Sequence, residues 1–151
     1  MKDLFGDKIM EKRPNPTDEA PSFKFKKGEV LTCGYQKRTL DGFIAMLKGF
    51  DVNILVDLRS RPFGRKVEFN KIRLSAACQA AQIKYLWMGD KLGGLGGLTK
   101  QQWTENLKAV TSICSNNKVA IMCMEHNYEQ CHRKTLAEIL TMEYNINVHH
   151  I

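Results

Sequence analysis

The stretch Val52-Asn-Ile-Leu-Val-Asp-Leu58 decides the fold class of this chain. Its apolar residues form an almost continuous run instead of alternating with polar ones. Such a run is typical of a strand that is buried on both faces, and strands of that kind belong to parallel sheets covered by helices. The stretch therefore predicts an α/β domain with a mostly parallel sheet.

The segments around this strand alternate between strand and helix patterns. Strand patterns lie at residues 29–35, 84–88, 119–124 and 146–151, and helical patterns lie at about 39–47, 71–82, 99–114 and 128–143. We expect Thr39 to cap the first helix, and Thr99 to form a capping box with Gln102 at the third. The alternation predicts right-handed crossovers and a three-layer, Rossmann-like domain, with about five strands and with helices on both faces.

Length and composition favour one folded domain behind a tail. The chain has 151 residues, of which 43% are hydrophobic and 26% charged, and these values are close to a globular average. Residues 1–27 are charged and contain three of the four prolines, which predicts a flexible N-terminal tail before a single α/β domain at 28–151. We find no signal-peptide pattern and no apolar run of the roughly 20 residues that span a bilayer, so we expect a cytoplasmic protein.

Charge and cysteine content give expectations about partners and redox state. The formal net charge of +7 favours an anionic partner such as a nucleotide, a nucleic acid or a phosphorylated substrate, although it is also compatible with a role in solubility alone. The five cysteines are odd in number and widely spaced. This is a poor disulfide framework, so the sequence predicts reduced thiols.

Polar side chains cluster where two of the predicted strands end. Open parallel sheets bind ligands beyond the carboxyl ends of their strands. Side-chain alternation places Cys123 with Glu125 at one strand end, and Asp57 with Arg59 at another. Asp57 and Glu125 are candidate acid–base or nucleophilic carboxylates, and Cys123 is a candidate nucleophile. The alternatives are a structural ion pair with Arg59 for Asp57, and a buried apolar role for Cys123.

The last predicted helix begins with three residues that can carry chemistry. Cys131, His132 and Arg133 lie near its N-terminus, where the backbone N–H groups favour an anion. Arg133 is expected to reach a phosphate or a carboxylate, and Cys131 is a candidate anion contact with an activated thiolate. His132 is expected to face inward, either as a catalytic group or as a core histidine. The gap between Cys123 and Cys131 does not fit a zinc-finger spacing, so we expect neither a metal nor another cofactor.

Two further segments lie close to the expected site. The basic segment, residues 59–73, carries six basic side chains, including Arg61, with Phe63 and Phe69 interleaved. It can hold a phosphate backbone or stack a base, or it can be a solvated loop. The glycine-rich stretch at 92–97 lacks the spacing of a P-loop or of a dinucleotide fingerprint, and it predicts either a mobile lid or a simple turn.

Together these motifs resemble the domain-of-unknown-function family 488. The blocks that carry the resemblance are Cys33-Gly34-Tyr35, Thr39-Leu40-x-x-Phe43, Leu55-Val-Asp57-Leu-Arg59-Ser60-x-Pro62, Phe69-Asn70, Leu92-Gly93-Gly94, and Cys123-x-Glu125 followed by Cys131-His132-Arg133. The resemblance implies a compact α/β domain whose blocks share one pocket. It adds Tyr35 and Asn70 to Arg59, Arg61 and Arg133 as expected contacts to an anionic substrate. It implies no particular reaction.

Three functions are compatible with these residues. The first is an enzyme that cleaves or transfers a glycosidic or phosphoryl bond of a nucleotide or nucleic acid, with Asp57 and Glu125 as carboxylates and with Arg59 and Arg133 holding the anion. The second is a nucleotide-binding or nucleic-acid-binding module without turnover. The third is a small interaction protein that acts on a partner protein. The fold alone does not decide between them.

Overall fold

A computed structural model of the chain describes residues 23–124 and 132–151, and within them five strands form one sheet. The strands are β1 (Val30–Gly34), β2 (Ile54–Asp57), β3 (Lys84–Trp87), β4 (Val119–Cys123) and β5 (Val148–His150). Every neighbouring pair is parallel. The α/β class and the parallel sheet are therefore confirmed.

The strand order is β3-β2-β4-β1-β5. It differs from the Rossmann order, in which the first strand lies beside the second, because here β4 lies between β1 and β2. The Rossmann-like part of the prediction is therefore not confirmed. Order across a sheet depends on which crossover passes over which strand, and an alternating pattern does not contain that information.

The helices cover both faces of the sheet. They are α1 (Leu40–Gly49), α2 (Lys71–Ala80), α3 (Gly89–Leu92), α4 (Lys100–Cys114) and α5 (Arg133–Tyr144), with a 3-10 turn at Val67–Phe69. Both predicted caps are present: Thr39 accepts a hydrogen bond from the backbone of Gly42, and Thr99 forms the capping box with Gln102. No described helix has both the length and the apolarity needed to cross a membrane.

Two separate cores confirm the three layers. One core packs α1 and α2 against the sheet, with Phe43 and Leu55 among its members. The other core packs α4 and α5 against the opposite face, with Val56 and Leu107 among its members. Leu55 and Val56 are consecutive residues of β2, so this central strand is buried on both sides, as its unbroken apolar run predicts.

The register of the strands brings several loops to one edge. Gly34 of β1 lies opposite Cys123 of β4, and Asp57 of β2 lies opposite Met122. The chain leaves β1 and β2 towards helices on one face, whereas it leaves β4 towards α5 on the other. Loops that diverge in this way leave a crevice between them at the carboxyl edge.

The predicted N-terminal tail is too long at its carboxyl end. Phe25 is buried, and its ring lies 6.2 Å from that of Phe50, while Phe23 packs on Phe50 at 5.1 Å. Residues 23–26 alternate between phenylalanine and lysine side chains, and this period-2 pattern is that of an extended segment with one buried face. Lysines make up much of this segment, so composition alone predicts a charged tail and does not show the buried face. The rest of the predicted tail lies outside the described residues.

Candidate functional site

A cleft of about 940 Å³ lies at the carboxyl edge of the sheet. This is the edge at which the sequence predicts a ligand site. The described residues that line the cleft come from the loops after β1, β2 and β4, the glycine-rich loop (residues 93–98) and the turn before α5: Tyr35–Gln36, Arg59–Arg61, Phe63–Lys66, Gly94–Leu95, Cys123–Met124 and His132.

The described part of this lining is basic. Arg59, Arg61, Arg65 and Lys66 all contribute to it, and none of the described lining residues is an aspartate or a glutamate. Arg61 and Arg65 are exposed, whereas Arg59 is buried. Clefts lined by one sign of charge concentrate the opposite charge, so the described part of this lining favours anions.

Asp57 is fully buried and holds Arg59 in place. Arg59 donates from Nε to Oδ1 at 2.9 Å, from Nη2 to Oδ2 at 2.8 Å, and from its backbone N–H to Oδ1 at 3.0 Å. The hydroxyl of Tyr85 donates to Oδ2 as well. The carboxylate therefore has its acceptor positions filled and does not line the cleft. Of the two interpretations of Asp57, this geometry favours the structural ion pair over acid–base chemistry.

The surroundings keep Arg59 charged and in a fixed orientation. Burial alone would lower the pKa of Arg59, but the hydrogen bonds and charge of Asp57 outweigh burial, and the pKa is raised. Burial and the charge of Asp57 raise the pKa of Tyr85, so its hydroxyl keeps the proton that it donates. The Arg59 guanidinium carbon also lies 5.1 Å from the ring centre of Tyr35, which stacks on Phe69 at 4.4 Å. A preorganised arginine of this kind suits a phosphate or carboxylate ligand.

The Asp-x-Arg-Ser and Leu-Gly-Gly motifs lock two loops together. Ser60 Oγ accepts a hydrogen bond from the backbone N–H of Leu95 at 3.0 Å. A Cβ atom on Gly93 would lie 2.1 Å from Ser60 Oγ, and one on Gly89 would lie 1.8 Å from the carbonyl oxygen of Arg59. Only glycine fits at either position, because real Cβ contacts are far longer. The two motifs therefore shape one wall of the cleft jointly.

His132 lines the cleft and is oriented by the backbone. Its Nε2 atom lies 2.9 Å from the carbonyl oxygen of Leu92, which can only accept, so Nε2 carries the proton and Nδ1 of the neutral ring is an acceptor. Burial lowers the pKa of His132, which favours that neutral form. Nδ1 is the atom closest to a Cβ built on Gly94, at 3.2 Å. The geometry is compatible with both predicted roles of His132. A core histidine would be partly buried and bonded to the backbone, as His132 is, and a catalytic group would line the cleft, as it also does.

Two predicted anion contacts lie outside the described lining of the cleft. Arg133 is fully buried and donates from Nη1 to Thr32 Oγ1 at 3.1 Å, because it occupies the side of α5 that faces the sheet. Asn70 accepts a hydrogen bond from the backbone N–H of Gly64 at 2.9 Å, so its side chain braces the basic segment from within. Neither Arg133 nor Asn70 belongs to the described lining of the cleft, and their roles as direct ligand contacts remain predictions.

The comparison of sequences agrees with the motif pattern. The family described as Domain of unknown function DUF488 matches residues 39–103 and 96–140, which is more than half of the chain. The chain belongs to the DUF488 family. Neither the curated proteins nor the solved structures contain a match. The matched range includes every motif from Thr39 to Arg133, and therefore most of the cleft of this DUF488 domain.

The prediction of reduced thiols is wrong for Cys123. Cys123 is disulfide-bonded, whereas Cys33, Cys78 and Cys114 carry free, buried thiols. Spacing along the chain does not reveal which cysteines the fold brings within bonding distance. In the disulfide state Cys123 has no thiolate to act as a nucleophile. Burial raises the pKa of Cys33 to about 11 and that of Cys78 to about 12, so these thiols stay protonated at neutral pH.

Two predicted site residues, Glu125 and Cys131, lie outside the described residues, and their roles remain predictions. Among residues 23–124 and 132–151, no three His, Cys, Asp or Glu side chains come together in the way a metal ion requires.

Sequence reasoning missed Tyr85 and Lys66. Tyr85 sits on the edge strand β3, and only the pairing of β3 with β2 brings its hydroxyl to Asp57. Lys66 Nζ donates to the carbonyl oxygens of Gln36 at 3.2 Å and of Arg38, so it joins the loop after β1 to the basic segment. A lysine in a basic loop carries no sequence signal of such a role. The DUF488 cleft therefore depends on positioning groups that a motif does not identify.

Proposed function

We propose that the cleft binds a nucleotide or a nucleic acid through its phosphate groups. The observation that carries the proposal is the pairing of arginines with exposed apolar side chains in one lining that, among the described residues, has no carboxylate. Phosphate contacts supply the affinity of nucleic-acid-binding proteins, and apolar or aromatic side chains take up the bases.

The arginines differ in what each can offer a phosphate. Arg59 is fixed by Asp57, which balances its charge, so it contributes mainly a guanidinium group held in place in the lining. Arg61 and Arg65 are exposed, so their guanidinium groups can form two parallel hydrogen bonds to phosphate oxygens. Lys66 is engaged with carbonyl oxygens and contributes mainly through its charge.

The apolar part of the lining favours a nucleotide over a simpler anion. Phe63 is 67% exposed and Leu95 is 75% exposed, although both are large hydrophobic residues. A purely anionic metabolite would leave these side chains in water. A base or a ribose edge would cover them, and such burial is favourable by roughly 25 cal/mol for each Å² of apolar surface.

Binding at low salt tests this proposal. The full-length chain is titrated into a fluorescently labelled mononucleotide and a labelled oligonucleotide, and fluorescence anisotropy is measured. The double variant Arg61→Ala/Arg65→Ala should lose roughly tenfold in affinity for each arginine removed. The matched control, Arg73→Ala/Lys108→Ala, removes two exposed cations that do not line the cleft and should bind like the native chain. Equal weakening by both double variants, or no binding by the native chain, would refute the proposal.

A second candidate function is turnover of the same ligand at a glycosidic or phosphoryl bond. The observation that favours it is His132, whose tautomer is fixed by Leu92 and whose lowered pKa keeps it a proton acceptor at neutral pH. In this candidate Glu125 keeps its predicted role as a carboxylate. Products are sought by mass spectrometry after incubation with nucleotides and oligonucleotides. His132→Gln and Glu125→Gln should each abolish product while binding persists, and unchanged turnover in both would exclude these residues.

A further inference from the structure

We infer that the ligand of the cleft is a single-stranded nucleic acid, with a base stacked on Phe63, and that neither a free nucleotide nor a duplex is preferred. The inference rests on the proposed function and deepens it by naming the substrate class. Phe63, two further exposed apolar side chains of the same lining, the open described lining and the flanking arginines support it.

Phe63 stands between two arginines in the basic segment. Arg61 precedes it by two residues, Arg65 follows it by two, and all three side chains are exposed and line the cleft. A two-thirds exposed phenyl ring adds nothing to the core, and neither core cluster includes it. A flat ring beside cations is the combination by which proteins hold a base and its flanking phosphates. Every base has a π face, so this platform does not require a particular sequence.

A second apolar surface comes from two other elements of the same cleft. Leu95 projects from the glycine-rich loop, and Met124, which is 46% exposed, follows β4. The backbone of Leu95 is held by the hydroxyl of Ser60, so its place in the wall is fixed. Three exposed apolar side chains from three separate loops thus line one cleft. A base that stacks on Phe63 finds further apolar surface within the same lining.

The part of the lining that the structure describes is open. More than half of the described lining residues are exposed, and the cleft volume of about 940 Å³ lies near the top of the roughly 300–1,000 Å³ range of small-molecule pockets. Such pockets cover about 70–90% of a ligand's surface. An open lining of this size suits a chain that enters at one side and leaves at the other.

The stacking platform also discriminates against a duplex. Bases within a double helix are paired and stacked on one another, so their faces are closed to Phe63. Proteins therefore read single strands, bulges and ends with exposed aromatic rings, and read duplexes through grooves and phosphates. An acidic peptide would neutralise Arg61 and Arg65 but would not require an aromatic face.

The test measures which polyanion the full-length chain prefers. The probes are fluorescein-labelled single strands of DNA and of RNA of about ten nucleotides, within the roughly 4–16 nucleotides that single-strand sites cover. Competitors are a mononucleotide, a blunt duplex of equal length and polyglutamate. Phe63→Ala should weaken binding of the strand about fivefold to a hundredfold without changing the salt dependence. Arg65→Ala should instead reduce the slope of log affinity against log salt by about 0.7, because one phosphate is no longer neutralised.

Two further variants are controls. One tests whether a loss of binding comes from a disturbed loop, and the other tests whether any loss of exposed apolar surface weakens binding. Phe63→Trp keeps an aromatic face and should bind at least as tightly as the native chain, whereas a variant that merely disturbs the loop would not. Ile72→Ala is the matched control, because Ile72 is 83% exposed but does not line the cleft, and it should change nothing. A preference for either sugar supports the inference.

The outcomes separate this inference from the proposed function. If a mononucleotide or the duplex competes as well as the strand, and binding still depends on Arg61 and Arg65, the inference fails while the proposed function stands. If polyglutamate competes equally and Phe63→Ala binds like the native chain, the cleft is a site for acidic polymers and both fail. If no nucleotide or nucleic acid binds at low salt, both fail as well.

Discussion

Replacing Asp57 by asparagine should destabilise the fold before it affects any chemistry. Asp57 is fully buried, Arg59 is only 7% exposed, and their side chains share two hydrogen bonds. An asparagine side chain at this position would leave the arginine charge uncompensated and would present an NH₂ group to donors. Breaking a buried ion pair by removing one partner costs about 3–5 kcal/mol. For a chain of this length, about 2–4 °C of melting temperature accompanies each kcal/mol, so the expected loss is roughly 6–20 °C.

Urea and thermal unfolding, followed by circular dichroism, measure this loss. Tyr85→Phe removes one hydrogen bond to the same carboxylate and should cost about 1.5–3 kcal/mol, less than Asp57→Asn. The double variant Asp57→Leu/Arg59→Met removes both charges and should recover much of the stability, while ligand binding stays weak because Arg59 is gone.

One result would refute the positioning role of Asp57. If Asp57→Asn unfolds at the native urea midpoint and yet abolishes an activity that the native chain has, the carboxylate acts in the chemistry. A stability loss as large in the double variant as in Asp57→Asn would mean that side-chain packing, and not the uncompensated charge, explains the effect.

Three other predictions concern the loops, the histidines and a helix cap. Gly93→Ala should cost about 1–3 kcal/mol, because its Cβ would overlap Ser60 Oγ, whereas Gly96→Ala in the same loop meets nothing within 4 Å and should be neutral in urea unfolding. Burial lowers the pKa of His132 and of His150 below the ordinary 6.5, so the unfolded chain takes up protons that the folded chain excludes. The free energy of unfolding should therefore fall as the pH drops below about 6.5, by up to about 1.4 kcal/mol per pH unit for each histidine, and a double His→Gln variant should flatten the slope. Thr99→Ala removes the capping box of α4 and should cost about 0.5–2 kcal/mol, and an unchanged melting temperature would contradict that role of the cap.

The sheet and its helices could be predicted because their signals are local. An unbroken apolar run is enough to identify β2 as a strand buried on both faces, and Thr39 and Thr99 mark helix starts through bonds within three residues. The short helix α3 could not be predicted in the same way, because four residues contain no hydrophobic period. The position of β4 between β1 and β2 could not be predicted either, because the order of strands in a sheet is not encoded in any local pattern.

The candidate site could be located from sequence, but its side chains could not all be assigned. Arg59, Arg61, Tyr35 and His132 line the cleft because each follows a strand or turn at the carboxyl edge. Arg133 does not belong to the described lining. Adjacent residues of a helix point in different directions, and this side chain faces the core. Whether a charged side chain meets a ligand or a neighbouring side chain depends on tertiary contacts, and those contacts are absent from a linear pattern.

The bonds from Lys66 to the loop after β1 affect how a ligand enters. That loop and the basic segment follow strands that are not neighbours, because β4 runs between them, so each would otherwise move independently. The ammonium group fastens one wall of the cleft to the other before any ligand arrives. Less chain entropy of these two loops is then lost on association, since they are already held together. These two loops are therefore suited to accept molecules that match their existing shape.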